Sequence, residues 1–219
     1  MGLGVREKNA MAARAAQEIS EGMVVNLGIG IPSLVPNHVK EVKNILFHAE
    51  NGILGIGKSP AEGEEDPNLC NAGGFPVTLE RGGSYFDSLT AFSIIRRGLL
   101  DLTILGALEV SGRGDLANWI IPGKKVPGMG GATELAMKTK KVIVLMAHRD
   151  KYGNSKIVKD CKLPVTAKGC VHMIITDMGV FETTETGLRL LEIFRPYTLS
   201  DITQNTEAAF EAADNLGFI

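Results

Sequence analysis

Two short apolar runs, residues 23–27 and 44–49, each stop abruptly in a glycine-bearing turn, Gly28-Ile-Gly30 and Glu50-Asn51-Gly52. Such runs read as buried strands, and Pro32 after the first turn reads as the opening residue of a helix running toward Val42. A chain that repeats strand, glycine turn and helix is constrained to an α/β fold, with flanking helices around a mostly parallel sheet. Ligands of such sheets bind beyond the carboxyl ends of the strands, which is where these turns lie.

The same rhythm continues along the chain. Residues 6–21 alternate charged and apolar side chains at helical spacing, with Gly22 as the expected C-terminal cap. Residues 59–71 carry two prolines and four acids and read as a mobile surface loop. Residues 75–79 read as a strand, and Ser88 caps a helix to Leu99. Residues 101–110 read as one long strand with apolar continuity, as in strands covered on both faces. A glycine-rich connection to Gly131 precedes a short helix over 133–140. Strands are expected at 141–147, 171–176 and 188–194, and Ser200 and Thr206 can each open a C-terminal helix. At 219 residues the chain is expected to form one domain, 1–219.

Several function classes fall away. The 23 basic and 25 acidic residues are interspersed and leave a net charge of -2, so no electrostatic footprint for nucleic acid or an acidic membrane exists. The longest apolar run, residues 142–147, is far below the roughly 20 residues of a membrane span. The first residues lack the order of a secretory signal, and cysteines at 70, 161 and 170 form neither a disulfide framework nor a CxxC pair. A reducing cytoplasm fits that usage. The four histidines are scattered, and no metal site is expected.

Three readings compete for the glycine turns. Gly28-Ile-Gly30 follows a strand, with Glu50 about 20 residues on, as in a dinucleotide site, but the third glycine of that fingerprint is Ser33. Gly52-Ile-Leu-Gly-Ile-Gly57-Lys58-Ser59 satisfies the phosphate-loop pattern, yet it runs into Pro60, Gly63 and Pro67 among four acids instead of opening a helix. The third reading concerns Glu50 itself. A glutamate is ordinarily ionised at neutral pH and needs no general base to attack an activated acyl group. A turn glutamate is more often a solvated residue or a cap, and spacing alone does not choose between the two.

The choice comes from Leu46-Phe-His-Ala-Glu-Asn-Gly-Ile-Leu-Gly55 taken with Gly114-Asp-Leu-Ala-Asn-Trp-Ile-Ile-Pro-Gly-Lys124 and Pro127-Gly-Met-Gly-Gly-Ala132. Together they resemble the beta subunit of the two-subunit 3-oxoacid (acetoacetate-type) CoA-transferases, and the resemblance covers nearly the whole chain. Val25-Asn-Leu-Gly-Ile-Gly-Ile-Pro32, Asn71-Ala-Gly73, Phe86-Asp-Ser88, Leu163-Pro-Val-Thr166 and Ile175-Thr-Asp177 extend it.

The resemblance implies the CoA-transferase fold, which is ribose-phosphate-isomerase-like. It implies ping-pong transfer of CoA between an acyl-CoA and a short-chain carboxylate such as acetoacetate, as in ketone-body or short-chain fatty acid metabolism. Glu50 would be the nucleophile and carry a covalent glutamyl-CoA thioester. A glycine amide of the 128–131 segment would be half of an oxyanion hole, Gly131 first, then Gly130 and Gly128. Coenzyme A would be a substrate, with no tightly bound cofactor. An alpha subunit would complete the site in a hetero-oligomer of α2β2 type or higher.

Other residues carry two readings. Asn51 could orient Glu50 or only suit its turn, while Gly28 and Gly30 support the first turn. Trp119 fits a core or subunit edge better than a CoA channel. His48, beside Glu50 on a strand, is expected to point to the opposite face and takes no role. Relatives often have Ser at Ala49, Lys at Gly74 and Met-Asp at Thr133-Glu134, departures that bear on which acid is used.

Overall fold

A computed structural model describes residues 3–40, 44–123, 126 and 128–219. Val42, Lys124 and Pro127 of the segments above lie outside the described residues. In chain order the strands are β1 (Val24–Leu27), β2 (Leu46–Ala49), β3 (Ile53–Ile56), β4 (Leu79–Tyr85), β5 (Leu102–Gly106), β6 (Glu109–Ser111) and β7 (Leu116–Ala117). They continue as β8 (Lys141–Leu145), β9 (Ile157–Val158), β10 (Met173–Ile175), β11 (Gly179–Thr184), β12 (Gly187–Ile193) and β13 (Phe210–Phe218). The α-helices are α1 (Val5–Ala16), α2 (Ser88–Arg96), α3 (Ala132–Lys138) and α4 (Leu199–Asn205), and a 3-10 helix spans Ile31–His38.

Ten strands form one sheet in the order β13-β12-β11-β10-β8-β5-β1-β2-β3-β4, and β7-β6-β9 form a small second sheet. The five central strands, β10, β8, β5, β1 and β2, run parallel, and antiparallel pairs flank them. Both faces of the centre are covered, as the near-continuous apolar strands require. On β8, Val142 and Val144 face one core with α2 and α3, while Ile143 and Leu145 face another with α1 and the 3-10 helix. The connection after β1 runs over the α1 face, and α2, leading into β5, packs on the other. Strand order therefore switches at β1, and the crevice at its carboxyl end is where such a sheet receives a ligand.

Several expectations need correction. The first helix ends at Ala16; Gly22 does take a positive φ of 80°, but in a later turn. The segment after Gly30 is a 3-10 helix because Pro36 removes an amide donor from its interior. Residues 75–79 do not form a strand; β4 begins at Leu79, and only Pro76 bridges to Cys70. Asp87, not Ser88, caps α2, its carboxylate accepting from the Thr90 amide at 2.7 Å. Residues 101–110 are two strands in different sheets, broken after Gly106. Thr198 opens α4 with a reciprocal bond to Asp201, and the helix expected from Thr206 is strand β13, which pairs parallel to β12.

Candidate active site

Glu50 follows the last residue of β2, at the carboxyl edge of the parallel strands, and is half-buried. Its turn is locked on both sides. Gly52 has φ 109°, its amide donates to Ala49 O at 3.0 Å, and its carbonyl accepts from the Phe86 amide at 2.9 Å. A Cβ on Gly52 would stand 2.0 Å from Phe86 O, so only glycine fits. Asn51 is exposed and donates to Cys70 O at 2.8 Å, tying the turn to the 57–78 loop.

The side chain that reaches Glu50 comes from the neighbouring strand. Asn26 of β1 donates Nδ2 to Glu50 Oε2 at 3.2 Å and lies within 3.2 Å of both His48 Nδ1 and His48 O. Thr103 of β5 donates to Asn26 Oδ1 at 3.2 Å. His48 therefore shares a face and a partner with Glu50, against the expectation that it points away, because residues two apart on a strand lie on the same side. Burial holds the His48 imidazole down at about pKa 4, with backbone hydrogen bonding at Ala91 opposing the shift only in part. The ring is neutral at physiological pH and stacks on Phe86 at 6.1 Å.

The glycines named from the sequence serve distinct purposes. Gly28 donates to Ile104 O at 2.8 Å, and an added Cβ would come within 3.1 Å of that oxygen. Gly30, at φ 90°, caps the 3-10 helix, its carbonyl accepting from Ser33. Gly128 and Gly130 take positive φ values of 94° and 51° with open space where a side chain would project. Gly131 is the N-cap of α3, and the Ala132 amide behind it bonds Met129 O at 3.1 Å. A Cβ on Gly131 would lie 3.1 Å from the Phe92 ring of α2, the helix that follows Phe86. Gly131 thus packs against α2, whose first residue lies two positions after Phe86. Trp119 is half-buried, its Nε1 enclosed with no hydrogen-bond partner among the described residues.

The phosphate-loop reading does not survive the geometry. Ile53–Ile56 is strand β3, the Gly57 amide donates to Thr78 O at 2.8 Å, and the Ser59 amide donates to Asn37 Oδ1 at 3.0 Å. Those amides have no freedom to cradle a phosphate, and no helix follows Lys58 before α2. A cavity of about 590 Å³ lies on the α1 face, walled by Leu27, Leu34, Ala49, Ile56 and Val77. His48 also borders that cavity, and Asn26, which contacts His48, is the side chain that reaches Glu50.

Sequence reasoning passed over Asn26 and Thr103 and gave His48 no role. The signal was there in Val24-Val-Asn-Leu27, where one amide side chain interrupts a buried apolar strand and must find partners inside.

A family model for coenzyme A transferases matches residues 8–202. The probable beta subunit of a Bacillus subtilis coenzyme A transferase is 57% identical over 208 residues, covering 95% of this chain and 96% of its own. One of the subunits of Helicobacter pylori succinyl-CoA:3-ketoacid coenzyme A transferase is 51% identical over 204 residues, 93% of this chain and 98% of its own. The human mitochondrial succinyl-CoA:3-ketoacid coenzyme A transferase 2 is 47% identical over 205 residues, 93% of this chain but 40% of the human one. The acyl-CoA transferase YdiF of Escherichia coli superposes with a TM-score of 0.78 at 20% identity, over 100% of this chain and 44% of that one. Glutaconate coenzyme A-transferase of Acidaminococcus fermentans gives 0.72 at 16% identity, over 97% and 88%. At those identities the two crystal structures speak to the fold.

Proposed function

This chain belongs to the coenzyme A transferase family, and from that premise we propose that Glu50 carries CoA between an acyl-CoA and a short-chain carboxylate as a covalent thioester. The observation that supports it most is the Asn26–Glu50 hydrogen bond, which holds a carboxylate at the carboxyl edge of the sheet with one oxygen fixed. The acid pair is of the acetoacetate type, with succinate, acetate or butyrate as partner acid. The work is done in the cytoplasm, in a hetero-oligomer of α2β2 type or higher. The alpha subunit supplies the rest of the CoA cradle.

The steps follow from the carboxylate. Its free oxygen attacks the thioester carbonyl, the C–S bond breaks, and CoA leaves as thiolate with the bonding pair, giving an acyl-glutamyl anhydride. The thiolate then attacks the glutamyl carbon, and the first acid departs as carboxylate with the bridging oxygen. A second acid reverses the sequence. Thioester energy is conserved, and no ATP is consumed.

Each step passes through a tetrahedral oxyanion, and one fixed N–H donor is worth about 3 kcal/mol there. The oxygen that stays on the glutamyl carbon throughout is the one Asn26 holds, so the same N–H meets the charge that develops on it. For the substrate carbonyl the glycine segment is the donor, Gly131 first and then Gly130 and Gly128. The site must also exclude water, which would hydrolyse the anhydride, and closure by a second subunit serves that need.

The test is CoA exchange by the complex with its partner subunit. Glu50→Ala abolishes exchange, by roughly 10³-fold or more as expected for loss of a nucleophile, while Lys58→Ala leaves it within about twofold, as for a surface change. Exchange that survives Glu50→Ala, or ATP hydrolysis that depends on Lys58, overturns the reading.

A further inference from the structure

Three side chains make a polar row inside an otherwise apolar sheet. Strand register sets Asn26 beside Thr103 of β5 on one side and His48 of β2 on the other. All three are completely buried. An asparagine amide has a donor end and an acceptor end, and which end faces Glu50 matters. Reversed, its oxygen would meet the Glu50 carboxylate, the His48 carbonyl and the His48 Nδ1 lone pair with no proton between them.

The His48 carbonyl and the Glu50 carboxylate, which only accept, set the donor end of the amide, and both flanking side chains complement that orientation. Thr103 Oγ1 donates to Asn26 Oδ1 at 3.2 Å, which pins the acceptor end on the β5 side. With the donor end of the amide facing β2, His48 Nδ1, 3.2 Å from Nδ2, matches it as an acceptor in the tautomer that carries its proton on Nε2. That Nε2 is enclosed and makes no hydrogen bond among the described residues. A phenylalanine would fill the space and stack on Phe86 without enclosing an unpaired N–H, an arrangement that costs stability. What the imidazole brings is the Nδ1 lone pair.

We propose that Thr103 and His48 are positioning residues for CoA transfer: acting through Asn26, they aim its N–H at one Glu50 oxygen and leave the other as the attacking atom. The inference rests on Glu50 being the nucleophile, and its consequence is kinetic. An amide free to rotate would spend part of its time repelling the carboxylate, and the population of attack-ready Glu50 would fall without any change in how CoA is bound.

The experiment measures single-turnover formation of the Glu50 adduct from acyl-CoA, in the complex with the partner subunit, together with KM for acyl-CoA. Thr103→Val and His48→Phe keep shape and remove the donor and the acceptor. Each is expected to slow adduct formation about tenfold or more, with KM within about twofold, as for lost orientation without lost binding. Thr103→Ser restores the hydroxyl, and His48→Asn restores an acceptor where Nδ1 stood. Both recover most of the rate. Wild-type rates in Thr103→Val and His48→Phe overturn the proposal, and so does a loss that follows lowered melting temperature and is not rescued by Ser or Asn. A wild-type complex that forms no Glu50 adduct overturns the nucleophile reading beneath it.

Discussion

Asn26 reaches Glu50 from the neighbouring strand, so loss of its amide frees the carboxylate together with its bonds to Thr103 and His48. Asn26→Ala is expected to lower kcat by roughly 10²-fold, the scale of one oxyanion donor, with a much smaller change in KM for acyl-CoA; an unchanged kcat contradicts the role. Two buried histidines predict the acid response. Burial, chiefly, holds both His48 and His148 at about pKa 4, against 6.5 for a free imidazole. Between those values the unfolded chain takes up protons that the folded chain refuses. Their contribution is therefore complete above about pH 6.5 and is lost as the pH falls toward 4, up to about 3 kcal/mol per histidine. Melting temperature should drop steadily between pH 6.5 and 4.5, and a flat profile would contradict the buried neutral state. At this scale the turn that carries Glu50 was legible because a motif marks it. Asn26, Thr103 and His48 were not, because their partnership depends on which strands lie side by side, and β5 is 77 residues from β1 at the Asn26–Thr103 contact.

The turn between β2 and β3 is the element on which Glu50 depends. Gly52→Ala must either push Phe86 O away or move the turn, and φ 109° is itself strained for any side chain. A loss of about 3 kcal/mol or more is expected from strain and clash together, whereas Gly30→Ala, at φ 90° and ψ -126° with no atom within 4 Å among the described residues, bears the strain alone, about 1–3 kcal/mol. Thermal or denaturant unfolding of the two variants checks this, and equal losses would contradict it. Elements with strong local signals were readable: β1, β8 and α3 fall within a few residues of their expected bounds. The failures share a physical cause. Apolar continuity over residues 101–110 cannot reveal that the chain leaves one sheet after Gly106 and enters another. Likewise Glu211-Ala-Ala are good helix formers, yet pairing with β12 makes them strand, tertiary contact overriding local preference.

Across the whole molecule, a sheet covered on both faces leaves its carboxyl edge as the place for chemistry, and the alternation of short strands with glycine turns predicts that much from sequence. What single-chain sequence could not supply is the rest of the enclosure. Ile29, Phe75, Tyr85 and Leu89, on segments bonded to or following the Glu50 and Gly28 turns, are each more than half exposed. On the proposed mechanism, which needs an anhydride kept from water, a second subunit over that open rim would complete the site. The most direct measurement is peptide mass spectrometry of the chain, alone and with its partner subunit, after incubation with acetoacetyl-CoA and no acceptor acid. The account predicts a CoA-sized adduct on the Glu50 peptide in the complex only, discharged when a carboxylate is added. A complex that exchanges CoA while the Glu50 peptide stays unmodified would contradict it.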